Sequence, residues 1–297
     1  MLINYENIVK YYFKSHFPQI HNWRESCKRK KYEKKIKQAV AAYHNIHKAT
    51  GQYPLFQTIE IETLNRCNST CSFCPVNKNA DTREFKIMNK ELFISILQQL
   101  KGMNYTGSVG LYSNNEPFLD ERIIDLARIA KEQLPANHLY LYTNGTLVTL
   151  EKFREIIKYL DRMYIDNYND KLNLIAPVKV IHDYCRHNRL YRDKVRIRLR
   201  KLNDVLSTRG GQAPNRQQEK IATLNYGCFL PFRQMVVRPD GKVSLCCNDA
   251  LGTMTLGDLT KDSVDAIWHG EKYCAIREKI TSGRQNIELC SGCDSLL

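Results

Sequence analysis

Five stretches that read as strands, 57 to 64, 108 to 113, 138 to 143, 162 to 166 and 195 to 201, recur between stretches that read as helices, 89 to 102, 121 to 133, 149 to 160 and 178 to 188. That alternation points to parallel β-α units. Strands buried on both faces should be almost wholly apolar. Here Ile59 and Ile61 alternate with Glu60 and Glu62, Leu139 and Leu141 with Tyr140 and Tyr142, and Val195, Ile197 and Leu199 with Arg196, Arg198 and Arg200. One face packs and the other stays polar. A curved sheet answers both demands: helices cover its outer face and its inner face lines a polar cavity, as in an incomplete barrel. Sites on such sheets form at the C-terminal mouth of the strands.

The first strand runs into Cys67-Asn-Ser-Thr-Cys71-Ser-Phe-Cys74-Pro75, which sets three thiols on a tight loop at that mouth. A structural zinc takes four ligands and usually shows paired Cys-x-x-Cys units, whereas a cubane cluster held by three thiolates keeps one iron open to an outside ligand. A zinc knuckle is the competing reading of these three residues alone.

A chain of 297 residues can bury a large core, and it divides into a basic helical extension (1–54), the β-α part (55–227) and a second module (228–297). The net charge of +14 is uneven: residues 1–54 carry eleven Lys/Arg against three Asp/Glu, and 183–220 carry eleven against four. Both stretches favour an anionic partner, and for the first a solvated helix face is the alternative. In the extension, helices are expected over 3–15 and 28–48, with Tyr32, Ile36, Val40 and Tyr43 at helical spacing. No transmembrane segment and no signal peptide are expected, which together with reduced thiols used for metal points to a cytoplasmic protein. Cys27, Cys185 and Cys274 stand apart as ordinary thiols.

The second module opens with Cys228. A hairpin turning at Pro239-Asp240-Gly241 follows and ends on Cys246 and Cys247, then a helix is expected over 262–281, and Cys290-x-x-Cys293 closes the set. Cys228, Cys246, Cys290 and Cys293 would suit zinc or an iron–sulfur cluster.

The spacing Cys-x-x-x-Cys-x-x-Cys resembles the cluster loop of the radical S-adenosylmethionine (SAM) enzymes. Cys228, Gly241 and Cys246 resemble the start of the SPASM motif that follows many of their barrels. The resemblance implies an α/β fold, a partial (β/α)6 parallel barrel with a small C-terminal hairpin-plus-helix iron–sulfur domain of the shortened "twitch" form. It also implies a SAM-binding 4Fe-4S cluster on Cys67, Cys71 and Cys74, and an auxiliary 4Fe-4S cluster on Cys228, Cys246, Cys290 and Cys293. An external electron donor such as flavodoxin or ferredoxin would feed them.

Residue roles follow from the same resemblance. Asn114-Asn115-Glu116-Pro117 stands where the family has Gly-Gly-Glu-Pro, so Glu116 is expected on the SAM amino group with Asn115 beside it, although both glycines are replaced. Thr143 and Asn144 of Thr-Asn-Gly would lie near the SAM ribose and methionine, Asp166 on the ribose, Arg198 or Arg200 on the carboxylate, and Phe73 beside adenine. Glu60, Glu62, Tyr112, Tyr140, Tyr142 and Tyr164 would face substrate from the sheet, with Arg209 and Arg216 from the unpatterned stretch 203–227. Cys247, Arg209, Asp249 and Tyr142 are the catalytic candidates.

The reaction implied is hydrogen-atom abstraction by a 5'-deoxyadenosyl radical, leading to oxidation or epimerisation at a hydroxylated carbon of a sugar-like, anionic small molecule such as a carbohydrate or aminocyclitol. Cys247 is the hydrogen donor candidate for epimerisation. Radical modification of a peptide is the alternative, and a non-catalytic iron–sulfur protein binding nucleic acid is a different class; no stable nucleic-acid complex is expected.

Overall fold

The computed structural model describes residues 2–219 and 223–296, so Lys220 to Ala222 of the unpatterned stretch lie outside it. Among the described residues one sheet holds nine strands: β1 (Ile3–Asn4), β2 (Thr58–Ile61), β3 (Ser108–Gly110), β4 (Leu139–Thr143), β5 (Arg162–Tyr168), β6 (Val195–Arg200), β7 (Gln234–Val237), β8 (Lys242–Ser244) and β9 (Thr255–Asp258). Their order is β1-β6-β5-β4-β3-β2-β7-β8-β9. Pairing is parallel from β1 to β7 and antiparallel for β8 and β9.

Strands β2 to β6 are the five read from sequence, joined by helices Lys90–Gly102, Ile123–Gln133, Leu150–Ile156 and Ala176–His187. Helix starts have local causes: the Asn89 side chain accepts from the backbone N–H groups of Glu91 and Leu92, and Thr149 from that of Lys152. Burial alternates along β4, β5 and β6. Leu139, Leu141, Met163, Ile165, Val195 and Ile197 pack outward under the helices. The opposite, half-buried face carries the tyrosines, Asp166 and the arginines.

Two features lie beyond what the sequence pattern conveyed. Beyond β6 the next parallel place is taken by β1, out of chain order, through a strand of two residues that is too short to show a period. On the other side, β7 pairs with β2 in parallel, Thr58 opposite Gln234 and Ile61 opposite Val237, so the second module continues the main sheet. The hairpin turn forms as expected, with Gly241 at φ 80° and the Asp240 carboxylate accepting from the Lys242 N–H at 3.2 Å. The helix expected over 262–281 is two, Val264–His269 and Glu271–Thr281, because Gly270 adopts an extended conformation between them.

At the N-terminal end the helices are Glu6–His16 and a single long Pro18–Thr50. The long helix reaches the body through Ile36 and Val40, both buried, and through Tyr43, which stacks on Phe232 at 5.3 Å.

Candidate active site

The loop after β2 brings Cys67, Cys71 and Cys74 to one cavity of about 330 Å³ at the C-terminal mouth of the strands. Its shape is set locally. The Asn77 amide donates to the carbonyls of Cys71 (3.1 Å) and Cys74 (2.7 Å), and the Cys74 N–H donates to the Cys71 carbonyl (3.1 Å). The Ser69 N–H lies 3.4 Å from the Cys67 sulfur and its hydroxyl 3.0 Å from that of Cys71. Burial pushes the Cys67 and Cys71 thiols up to about 12. Their ionisation therefore calls for a cationic partner such as iron.

Glu116 ties the next two loops to this one. Its N–H donates to the Arg66 carbonyl at 2.8 Å, and its carboxylate accepts from the Thr143 hydroxyl (2.7 Å), the Asn144 N–H (2.7 Å) and the Phe118 N–H (3.1 Å). One lone pair of the carboxylate stays free for a ligand. Burial is the main cause that raises its pKa. Asn144 also donates to the Asn68 side chain at 2.8 Å and approaches the Cys67 sulfur at 3.9 Å. Gly145, at φ 77°, is required: a Cβ there would meet Val178 Cγ2 at 2.5 Å. Asn115 lines the cavity with a buried Nδ2 that has no partner.

Asp166 and Arg198 line the far wall, joined at 2.6 Å and 3.1 Å, and Arg200 reaches Asp166 at 3.2 Å without itself lining the cavity. Arg198 lies 4.8 Å from the centre of the Tyr142 ring, which stacks on Tyr164 at 4.3 Å. Phe73 is buried at the wall against Tyr168, ring centres 5.9 Å apart. Tyr168 joins the wall because β5 runs to 168, beyond the strand end at 166 that the sequence suggests; the inward alternation 164, 166, 168 carries the signal.

Deeper in the same cavity stands Glu60, only 4% exposed. It accepts from the Tyr112 hydroxyl (3.1 Å), the Ser113 hydroxyl (3.0 Å) and the Gln234 amide (3.0 Å). Burial pushes this carboxyl up to about 7, and the hydrogen bonds and Arg209 only partly oppose the rise. Gln234 also accepts the Cys247 N–H at 3.1 Å, so one side chain links Glu60 to Cys247. Arg209, at φ 50°, donates to the Cys247 carbonyl at 2.8 Å and to the Asn114 side chain, and its buried Nε has no partner.

Other candidates lie elsewhere. Asp249 is buried and accepts from the Thr253 N–H (2.8 Å) and hydroxyl (2.9 Å), the Met254 N–H (3.0 Å) and Gln212 (3.3 Å), so it shapes the turn after the hairpin rather than facing the cavity. Glu62 pairs with Arg83 at 3.2 Å, and Arg216 pairs with Asp294 at 2.6 Å. None of the three lines the cavity.

The other four thiols surround a separate small pocket of about 20 Å³, walled by Leu230, Pro231 and Leu245. The Arg284 guanidinium lines it too, 1% exposed, donating to the Cys293 carbonyl at 3.0 Å and leaving one buried Nη2 unpartnered. All eleven cysteines are free thiols. Among the described residues no group of His, Cys, Asp or Glu converges as the ligands of a single ion do. The four thiols line one pocket, and a four-thiolate set suits an iron–sulfur cluster or zinc by its donor chemistry. A buried cation with a spare donor suits the negative charge of a four-thiolate cluster, and the free polar atoms of Asn115 and Arg209 suit a polar ligand beside the three-thiolate one.

Comparison with known proteins agrees with this geometry. Residues 61–205 match the Radical SAM superfamily, and residues 228–294 match SPASM, an iron-sulfur cluster-binding domain. The chain is 28% identical over 245 residues, 82% of its own length and 94% of the relative's, to the S-adenosyl-L-methionine-dependent 2-deoxy-scyllo-inosamine dehydrogenase of Niallia circulans. The fold is similar to BtrN in complex with AdoMet and 2-DOIA, with TM-score 0.69 and 25% identity over 82% of this chain and 94% of that one. It also resembles anSMEcpe with bound AdoMet in fold alone, with TM-score 0.51 and 16% identity over 82% and 89%. The two domains imply SAM, an iron–sulfur cluster and an auxiliary cluster, and the chain carries a Radical SAM domain over its parallel sheet followed by a SPASM-type cluster-binding domain.

Proposed function

We propose that this enzyme dehydrogenates a hydroxylated carbon of a carbohydrate or aminocyclitol. The observation that carries the reading is Glu60, a buried carboxylate pushed up to about 7 that lines the same cavity as the three-thiol loop and Cys247. The dehydrogenase relative supports the substrate class. A cavity of about 330 Å³ is on the scale of a small-molecule site rather than a groove for a peptide.

When bound, SAM and the cluster on Cys67, Cys71 and Cys74 supply a hydrogen-abstracting 5'-deoxyadenosyl radical, and the cluster on Cys228, Cys246, Cys290 and Cys293 supplies an electron acceptor. The chain's own residues do the rest. Glu116 offers its free lone pair to an ammonium, and Asp166 with Arg198 presents a polar wall to ribose and carboxylate. Tyr112 and Tyr142, ring centres 4.5 Å apart on the cavity wall, would keep water from the reacting carbon, with Tyr140 packed behind them rather than lining the cavity. Arg209 directs its unpartnered Nε toward an anionic substrate group. Glu60 takes the hydroxyl proton as the carbon gives up one hydrogen atom and one electron, which leaves a ketone. An external donor such as flavodoxin or ferredoxin restores the electron used to cleave SAM.

Epimerisation is the second reading, favoured by the position of Cys247 on the cavity wall. Turnover in deuterated water separates the two. Dehydrogenation gives a ketone lighter by two hydrogens, with no deuterium at the reacting carbon. A product that keeps its alcohol and carries one deuterium in place of hydrogen at the reacting carbon refutes dehydrogenation in favour of epimerisation.

A further inference from the structure

The helical hairpin at the N-terminal end takes no part in the cavity described above. Glu6–His16 has no buried residue, and Pro18–Thr50 has only Ile36 and Val40. The first turns of the long helix therefore project with little cover beyond the shorter helix and the β1 edge. Of the thirteen large apolar side chains that are exposed among the described residues, six fall between positions 5 and 23: Tyr5, Val9, Tyr12, Phe17, Ile20 and Trp23. Trp23 is 67% exposed.

Ile20, Trp23, Cys27, Lys30 and Lys34 recur every three or four residues and so share one helix face, apolar near the turn at Phe17 and cationic farther along. Arg29, Lys30, Lys31, Lys34 and Lys35 have no carboxylate partner among the described residues, since Glu25 and Glu33 are taken by Lys28 and Lys37. In the crook of the hairpin a cavity of about 930 Å³ is lined by the cations Lys10, Arg24, Lys28 and Arg196 beside the apolar Val9 and Phe13. Glu6 and Glu25 line it as well, but Glu25 is held by Lys28 at 2.9 Å and Glu6 by the Asn4 amide at 3.1 Å. The His21 Nε2 that borders it is buried without a partner.

We propose that this hairpin docks the enzyme on the anionic face of a lipid bilayer, its aromatic and aliphatic side chains entering the headgroup boundary and its cations meeting lipid phosphates. Exposed Trp and aliphatic side chains enter the headgroup boundary, and a neighbouring Lys/Arg cluster is attracted by anionic lipid. Charge complementarity alone would also suit nucleic acid, but phosphates and bases give no cover to Ile20 and Val9. A second copy of the chain would bring two strongly basic surfaces together, which repel. No helix among the described residues is long and apolar enough to cross a membrane, so the contact is at the surface.

The test uses the full-length, cluster-loaded enzyme with vesicles of phosphatidylcholine alone and of phosphatidylcholine with phosphatidylglycerol, near 0.1 M salt, by co-sedimentation and tryptophan emission. Trp268 is fully buried, so a change in emission reports Trp23. Binding is expected only with phosphatidylglycerol, with a blue shift, and weakening in high salt as screening shortens. The Lys30→Glu/Lys31→Glu/Lys34→Glu variant should lose at least about tenfold in partition, as should Ile20→Ser/Trp23→Ser. Both should keep wild-type iron content and SAM cleavage, which shows that they are folded. Equal partition to both vesicles, or none to either, overturns the proposal. Duplex DNA or an acidic protein competing the enzyme off vesicles with Trp23 emission unshifted overturns it in favour of that partner. Release by millimolar inorganic phosphate at constant ionic strength overturns it in favour of a site for the free anion.

Discussion

Anaerobically reconstituted Cys71→Ala enzyme is expected to form no 5'-deoxyadenosine above background while retaining about half of its iron. Cys71 is the most buried thiol of its loop, 3% exposed, and lies 3.0 Å from the Ser69 hydroxyl. Alanine removes one of the three thiols that line this cavity, with no fourth cysteine of the loop among the described residues to substitute for it, so the cubane and the open iron that SAM requires should be lost. The four thiols line a second pocket together with Leu230, Pro231 and Leu245, and they are expected to keep their own cluster. Iron analysis should therefore fall from about eight to about four per chain, as two 4Fe-4S clusters become one. Retention of SAM cleavage, or loss of all iron with the fold intact by circular dichroism, would each contradict the assignment of separate sites.

The second large effect is expected at Glu60. Glutamine keeps the size and one acceptor oxygen for Tyr112 or Ser113 but cannot take a proton. Product formation should fall by about 10²–10⁴-fold, while 5'-deoxyadenosine continues to form because the SAM contacts are untouched. The groups that face Glu60 are Tyr112, Tyr140, Tyr142 and Cys247, which stay neutral near pH 7, together with the cation Arg209. Product formation by the wild type should accordingly rise as pH passes through about 7 and Glu60 loses its proton, and the variant should lack that rise. Stability runs the opposite way. The folded pKa lies above the ordinary 4.5, so the favourable contribution of the protonated carboxyl is complete below about 4.5 and is lost as pH rises through about 7. A variant with unchanged product yield would remove Glu60 from the reaction.

Much of this architecture could be read from sequence because its causes are local. The alternation of Leu139 and Leu141 with Tyr140 and Tyr142 is the alternation of a sheet face under helices with one facing a cavity, and it appears in the burial along β4. Gly145 and Gly241 mark backbones that only glycine adopts with ease. The misses have non-local causes. Glu60 and Glu62 share a face by parity, yet Arg83 claims Glu62 from twenty-one residues away and turns it into an ion pair. Gln234 reaches Glu60 across 174 residues because β7 pairs with β2, which no local pattern announces. Asp249 reads as a polar residue beside a cluster ligand, and only the folded turn reveals that Thr253, Met254 and Gln212 occupy it. The N-terminal hairpin was legible as helix but not as a projecting arm, since its two buried residues sit only on one part of a 33-residue helix.

The most direct measurement is quantitation of nucleoside and methionine after the wild-type enzyme, reconstituted to about eight irons per chain, is incubated anaerobically with SAM and dithionite. Reductive cleavage predicts 5'-deoxyadenosine and methionine in equal amounts. Fully iron-loaded enzyme that leaves SAM intact, or yields S-adenosylhomocysteine instead, would contradict a cluster on Cys67, Cys71 and Cys74 that opens one iron to the sulfonium.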